Sequence, residues 1–181
     1  MGRGVLNNWY DWVGTFTGVV ALAVLSLPIA VVTAGLLGWR RKVTGAAHPW
    51  RTAVAEVGLV YGTVPWVWMT LLPGNEPGKH GVVTLVPLAD LLSWDRGQII
   101  GNLLIFAPLG FFAPLRFSSL ASLGHVLMLA AGCSTFIEVA QYVLLLDRVS
   151  SVDDVLLNTV GAGLASMLSY RWWRTPVHSF A

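Results

Sequence analysis

The chain has 181 residues, of which 55% are hydrophobic and only 11% charged, and its mean hydropathy is +0.68. These proportions exclude a water-soluble domain with a charged surface and define an integral membrane protein. The net charge of +2 does not point to nucleic acid, because the basic residues flank long apolar runs, where membrane topology accounts for them.

A hydrocarbon core about 30 Å thick needs roughly 20 residues per helical crossing, so the length predicts about five spans in a single all-α membrane bundle. Residues 1–12 form a short opening segment whose Trp9, Tyr10 and Trp12 suit a membrane-water interface. Residues 13–37 make the first span. It is longer than a signal-peptide core and is read as retained, with Pro28 bending it. The loop that follows holds Arg40, Arg41, Lys42 and Arg51 with no acidic residue, which places it on the cytoplasmic side.

The second span covers about residues 53–72, with a kink at Pro65 and Trp66 and Trp68 near its far end. Glu56, within a turn of its start, is expected to pair with Arg51 or water. Residues 73–98 form the longest connection, on the opposite side. In its second half, residues 82–94, apolar residues alternate with polar ones and predict a short interfacial helix.

The third span is residues 99–115, with Asn102 near its start and prolines at 108 and 114, and it ends at Arg116. The fourth covers residues 120–146 and carries Glu138 and Gln141. A polar connector with Arg148, Ser150, Ser151, Asp153 and Asp154 leads into the fifth, residues 155–170, which holds Asn158; a serine or Asp153 is the expected N-cap. Seven of the 11 Lys and Arg then fall on one side and four on the other, supporting an outside N-terminus and a cytoplasmic C-terminus.

With a rise of about 1.5 Å per residue, Asn102, Gln141, Glu138 and Asn158 all lie within about 12 Å of the outer ends of their helices. An ionisable group in hydrocarbon costs at least a few kcal/mol, so Glu138 needs a partner or a wet cavity. A polar pocket opening outward between spans three, four and five is the economical reading. Gly161, Ala165 and Ser169 recur at intervals of four, as do Ala162 and Ser166, a small-residue face that lets helices approach closely.

The motif series resembles the VanZ-like membrane proteins: Asn102-Leu-Leu-Ile-Phe-Ala-Pro108-Leu-Gly110, Glu138-Val-Ala-Gln141, Arg148 with Asp153-Asp154, and Asn158-Thr159-Val-Gly161, preceded by Thr84-Leu-Val-Pro87-Leu. The resemblance covers about residues 53–170 and leaves the first span as an accessory. It implies a role at the outer face of a bacterial cytoplasmic membrane, connected with resistance to the glycopeptide teicoplanin, and with membrane lipids, a lipid-linked envelope precursor or a lipoglycopeptide as partner.

Three chemistries fit these residues. In the first, the pocket binds an amphiphile: Arg148 meets a phosphate or carboxylate, Asn102, Gln141 and Asn158 hydrogen-bond its polar part, and Glu138 orients the network. In the second, Glu138 is a catalytic acid or base, and Asp153 and Asp154 hold a divalent cation or position a nucleophile on a lipid-linked substrate. In the third, the polar groups satisfy one another and only set helix register. Two carboxylates without a histidine are a weak metal signal, so no metal and no cofactor is expected. His125 stands alone on its helix, the other histidines fall in loops or the tail, and Cys133, the single cysteine, excludes an internal disulfide and reads as a packing residue. Phosphate-loop, nucleophile-elbow and zinc motifs are absent.

Overall fold

The computed structural model describes residues 8–74, 82–88 and 96–174. Asn8 caps the first helix with a reciprocal capping box: its side chain accepts from the Asp11 N–H at 3.2 Å, and Asp11 accepts from the Asn8 N–H at 3.0 Å. The short helix α1 (Trp9–Val13) leads through the N-cap Thr15 into α2 (Phe16–Val43), whose 28 residues are about 42 Å long. Arg40, Arg41 and Lys42 lie in its last turn, so the helix continues beyond the expected stop at Leu37. Cations there complement the helix dipole, which favours the extra turns.

Pro49 at the first position of α3 (Pro49–Thr70) suits a residue without an N–H to donate. The remaining helices are α4 (Arg96–Ile105), α5 (Ala107–Arg116), α6 (Leu123–Val143) and α7 (Val152–Trp173). The expected third span is thus a broken helix. Pro108 has no N–H for the carbonyl of Leu104, and the break falls at Phe106, which is 2% exposed at the centre of the bundle. Among the described residues, three stretches are long and apolar enough to cross a membrane: α2, α4 with α5, and α6. Helices α3 and α7, 22 residues each, are about 33 Å long and carry charge near their ends.

Packing runs in series from α2 to α3, from α3 to α5, from α5 and α4 to α7, and from α7 to α6. Helix α2 is held to α3 by the Tyr61 hydroxyl, which donates to the Ala23 carbonyl, and α1 is held to α3 by Trp68 Nε1, which donates to the Val13 carbonyl at 2.8 Å. Most of the apolar surface of α2 stays exposed, as a lipid-facing helix requires. The closest approach in the bundle uses two glycines: a Cβ on Gly161 would overlap the Leu103 carbonyl of α4, and one on Gly110 would overlap the Ala162 carbonyl of α7. Ala162, Ser166 and Ser169 are fully buried beside them, so the small-residue face of α7 packs against its neighbours.

Three expectations are corrected. Residues 83–84 form a short strand β1 (Val83–Thr84), paired in parallel with β2 (Ser150–Ser151), and Leu88 turns the chain at φ 64, where a helix was expected over residues 82–94. β-Branched residues meet an unpaired connector there, and a strand satisfies both backbones, with the Ser150 N–H donating to the Val82 carbonyl at 3.0 Å. Residues 89–94 lie outside the described part. Glu56 pairs with Arg41 at 2.6 Å and with Arg116, tying α2, α3 and α5 together, while Arg51 donates to the Trp172 carbonyl at 2.8 Å instead. Helix α6 stops at Val143, short of Leu146. Leu145 takes a left-handed conformation (φ 53), and the N–H groups of Leu146 and Leu145 reach back to the carbonyls of Gln141 and Tyr142, a Schellman end.

Candidate functional site

Asn102, Glu138, Gln141, Arg148, Asp153, Asp154 and Asn158 lie at the end of the bundle where α3 and α6 stop and α4 and α7 begin. Helix α6 contributes Ser134 and Glu138, four apart and therefore on one face, with Gln141 three residues further. Helix α7 faces them with Asn158, whose Nδ2 donates to the Ser134 hydroxyl at 2.8 Å; both residues are buried. Asn158 Oδ1 is also buried and has no hydrogen-bond partner among the described residues.

The connector folds over Glu138. Its Oε2 accepts from the Ser151 N–H at 3.0 Å, and the Ser150 hydroxyl donates to its backbone carbonyl at 3.0 Å. Glu138 Oε1 accepts no hydrogen bond among the described residues. Ser151 also caps α7, its side chain accepting from the Asp153 N–H at 3.2 Å, so the expected serine cap is this one. Asp153 and Asp154 fall in the first turn of α7, where the helix dipole favours carboxylates. Asp154 accepts from Asn102 Nδ2, which draws α4 into the cluster, and the buried Asp153 accepts from the Leu88 N–H at 2.6 Å, which pins the β1 segment.

Gln141 and Arg148 reach the other way, toward α3. Gln141 Nε2 donates to the Thr70 carbonyl at 2.8 Å, and Arg148 Nε donates to the Leu72 carbonyl at 3.0 Å. Nearby, the Gly74 N–H donates to the Leu146 carbonyl at 2.7 Å, and a Cβ at Gly74 would overlap the Asp147 carbonyl. Burial pulls the Arg148 guanidinium below the usual arginine value, and the charges of Asp154 and then Glu138 oppose that shift. Arginine starts so high that the group stays a cation, held between a backbone carbonyl and two carboxylates. Its terminal nitrogens make no hydrogen bond or ion pair among the described residues.

The cluster therefore joins Asn102 to Asp154, Glu138 to the connector backbone, and Asn158 to Ser134, with Arg148 beside the carboxylates. Asp153 is committed to Leu88. Sequence reasoning missed Ser134, Ser150 as a partner of Glu138, and the carbonyls of Thr70 and Leu72. Ser134 was findable, since it lies one helical turn before Glu138 on the same face; the carbonyls carry no sequence signal. Among the described residues no group of three or more His, Cys, Asp or Glu converges in a way that could hold a metal ion.

Taken together, the helices and this corner define a helical membrane protein in which a broken helix and two neighbours enclose charged and amide side chains at one end. The chain belongs to the VanZ/LLP1 family, which matches residues 59–174. The match takes in every site residue and leaves α1, α2 and the start of α3 outside it. No curated protein matches the chain, and no solved structure does.

Proposed function

We propose that the protein crosses the bacterial cytoplasmic membrane five times with its N-terminus outside, and that the polar corner faces outward and binds the anionic head of an envelope amphiphile. The candidates are a lipid-linked envelope component and a lipoglycopeptide of the teicoplanin type, which would connect the chain with glycopeptide resistance. The observation that carries this reading is Arg148. It is fixed through Nε, its terminal nitrogens are unpaired among the described residues, and a phosphate or carboxylate accepts from such a fork in two parallel hydrogen bonds. Asn102, Gln141 and Asn158 add amide groups at the same end of the bundle, and Asn158 Oδ1 lacks a donor among the described residues.

The Glu138 carboxylate supports a second reading, because one of its oxygens is held by the Ser151 N–H while the other accepts no hydrogen bond among the described residues. A carboxyl so placed beside Asp154 suits acid or base work on a bound lipid-linked substrate.

Mass spectrometry of lipids and wall precursors that copurify with the wild type, Arg148→Lys and Glu138→Gln tests both. Binding predicts that an anionic amphiphile enriched on the wild type is lost from Arg148→Lys and retained by Glu138→Gln. Acid-base chemistry predicts that Glu138→Gln accumulates an unprocessed substrate. Equal lipid profiles for all three proteins would remove both readings.

A further inference from the structure

Helices α3 and α6 flank an apolar groove of about 470 Å³ whose floor is the α4–α5 break. Thr63 and Val67 line it from one side, Gly132, Cys133 and Ile137 from the other, and the buried Phe106 closes the bottom. The Thr63 hydroxyl is buried there without a hydrogen-bond partner. One turn beyond Ile137 lies Gln141, and three residues beyond Val67 lies Thr70. The hydrogen bond from Gln141 to the Thr70 carbonyl therefore spans from α6 to α3 about 6 Å past the groove end. The Leu72 carbonyl that fixes Arg148 follows two residues later.

A hydrocarbon slot thus ends about one helical turn short of a corner holding a cation, with the Gln141–Thr70 hydrogen bond between them, and an anionic amphiphile lying parallel to the helices reaches both by crossing outside that bridge. At roughly 30 Å³ for each water-sized group, about 470 Å³ is of the order of one dodecyl chain. We infer that the α3–α6 groove seats the single hydrocarbon chain of an anionic lipid whose head lies at Arg148. The inference rests on the head-group reading above and adds the chain-binding subsite to it.

Two residues make it testable. Gly132 lines the groove and a Cβ there meets open space, so it is the position at which a large side chain is introduced to fill the groove. Cys133, the only cysteine, lines the same groove and reports its occupancy. The full chain in phosphatidylcholine nanodiscs is titrated with dodecyl phosphate, methyl phosphate or dodecylphosphocholine, while binding and the rate of Cys133 alkylation by N-ethylmaleimide are followed. Dodecyl phosphate is expected to slow alkylation about tenfold, with no protection by methyl phosphate or dodecylphosphocholine. Gly132→Phe is expected to weaken dodecyl phosphate binding at least about tenfold, equivalent to losing about two buried methylenes, with Gly132→Ala unchanged.

Arg148-dependent binding of dodecyl phosphate with Cys133 unprotected and Gly132→Phe silent overturns the groove and leaves the head-group reading standing. Protection by dodecylphosphocholine equal to that by dodecyl phosphate makes the occupant any bilayer chain and also overturns it. Absence of dodecyl phosphate binding overturns both readings.

Discussion

Glu138, in the body of α6, accepts the backbone N–H of Ser151, the residue that caps α7, at 3.0 Å. One carboxylate thereby fixes the strand β2, the start of α7 and the connector that carries Arg148. Ser151 is 3% exposed, so its N–H has no water to fall back on.

Glu138→Gln keeps an acceptor for that N–H and Glu138→Leu does not. The glutamine variant is therefore expected to unfold in detergent within about 1 kcal/mol of the wild type, and the leucine variant to lose about 1–3 kcal/mol from the orphaned donor. Thermal unfolding followed by circular dichroism separates them. Equal melting of both variants would show that the hydrogen bond does not hold the connector.

The two glycine crossings make a second prediction. Gly110→Ala and Gly161→Ala drive a methyl into a carbonyl of the facing helix and are expected to cost at least about 1–3 kcal/mol, because the obstacle is backbone and cannot rotate away. Gly101→Ala meets open space in α4 and is expected to be neutral or to stabilise by up to about 1 kcal/mol through helix propensity. Melting temperatures of the three variants check the order, and a tolerated Gly161→Ala would contradict the packing of α4 on α7.

Glu56 links Arg41 and Arg116 at the opposite end of the bundle. Removing its charge in Glu56→Gln leaves two guanidinium groups facing each other. With these side chains a quarter to a third exposed, the expected loss is about 1–2 kcal/mol, partly recovered at high salt as the repulsion is screened. A salt series of melting curves reads this directly, and a melting temperature unaltered by the substitution would mean that the triad does not anchor α2.

Side-specific thiol labelling tests the orientation. In a Cys133→Ser background, Leu145→Cys is exposed at the connector end and Ala46→Cys is exposed in the loop between α2 and α3. Membrane-impermeant maleimide added to intact cells is expected to label position 145 and spare position 46; the reverse pattern would put the polar corner in the cytoplasm. Ser150 is a poor reporter because it is 5% exposed and hydrogen-bonded to Glu138.

Much of this arrangement was legible in the sequence. Asn102, Glu138, Gln141 and Asn158 gather at one end of the bundle, as their distances from the ends of the expected spans predict. The pairing of β1 with β2 was hidden. Two residues are too few to show a strand period, and the partner segments are more than 60 positions apart. Local spacing offers Glu56 the nearby Arg51 or water, but helix packing brings Arg41 and Arg116 to it, which the sequence order does not reveal. The break at Phe106 was half visible, since Pro108 announces a missing hydrogen bond but not whether the helix bends or divides.

The affinity of the purified protein for dodecyl phosphate, compared between wild type and Arg148→Lys, tests the central claim most directly. Lysine retains the charge and loses the fork, so binding through paired hydrogen bonds predicts an affinity at least about tenfold weaker for the variant, with its melting temperature close to that of the wild type. Equal affinities for the two proteins would contradict recognition of an anionic head at Arg148.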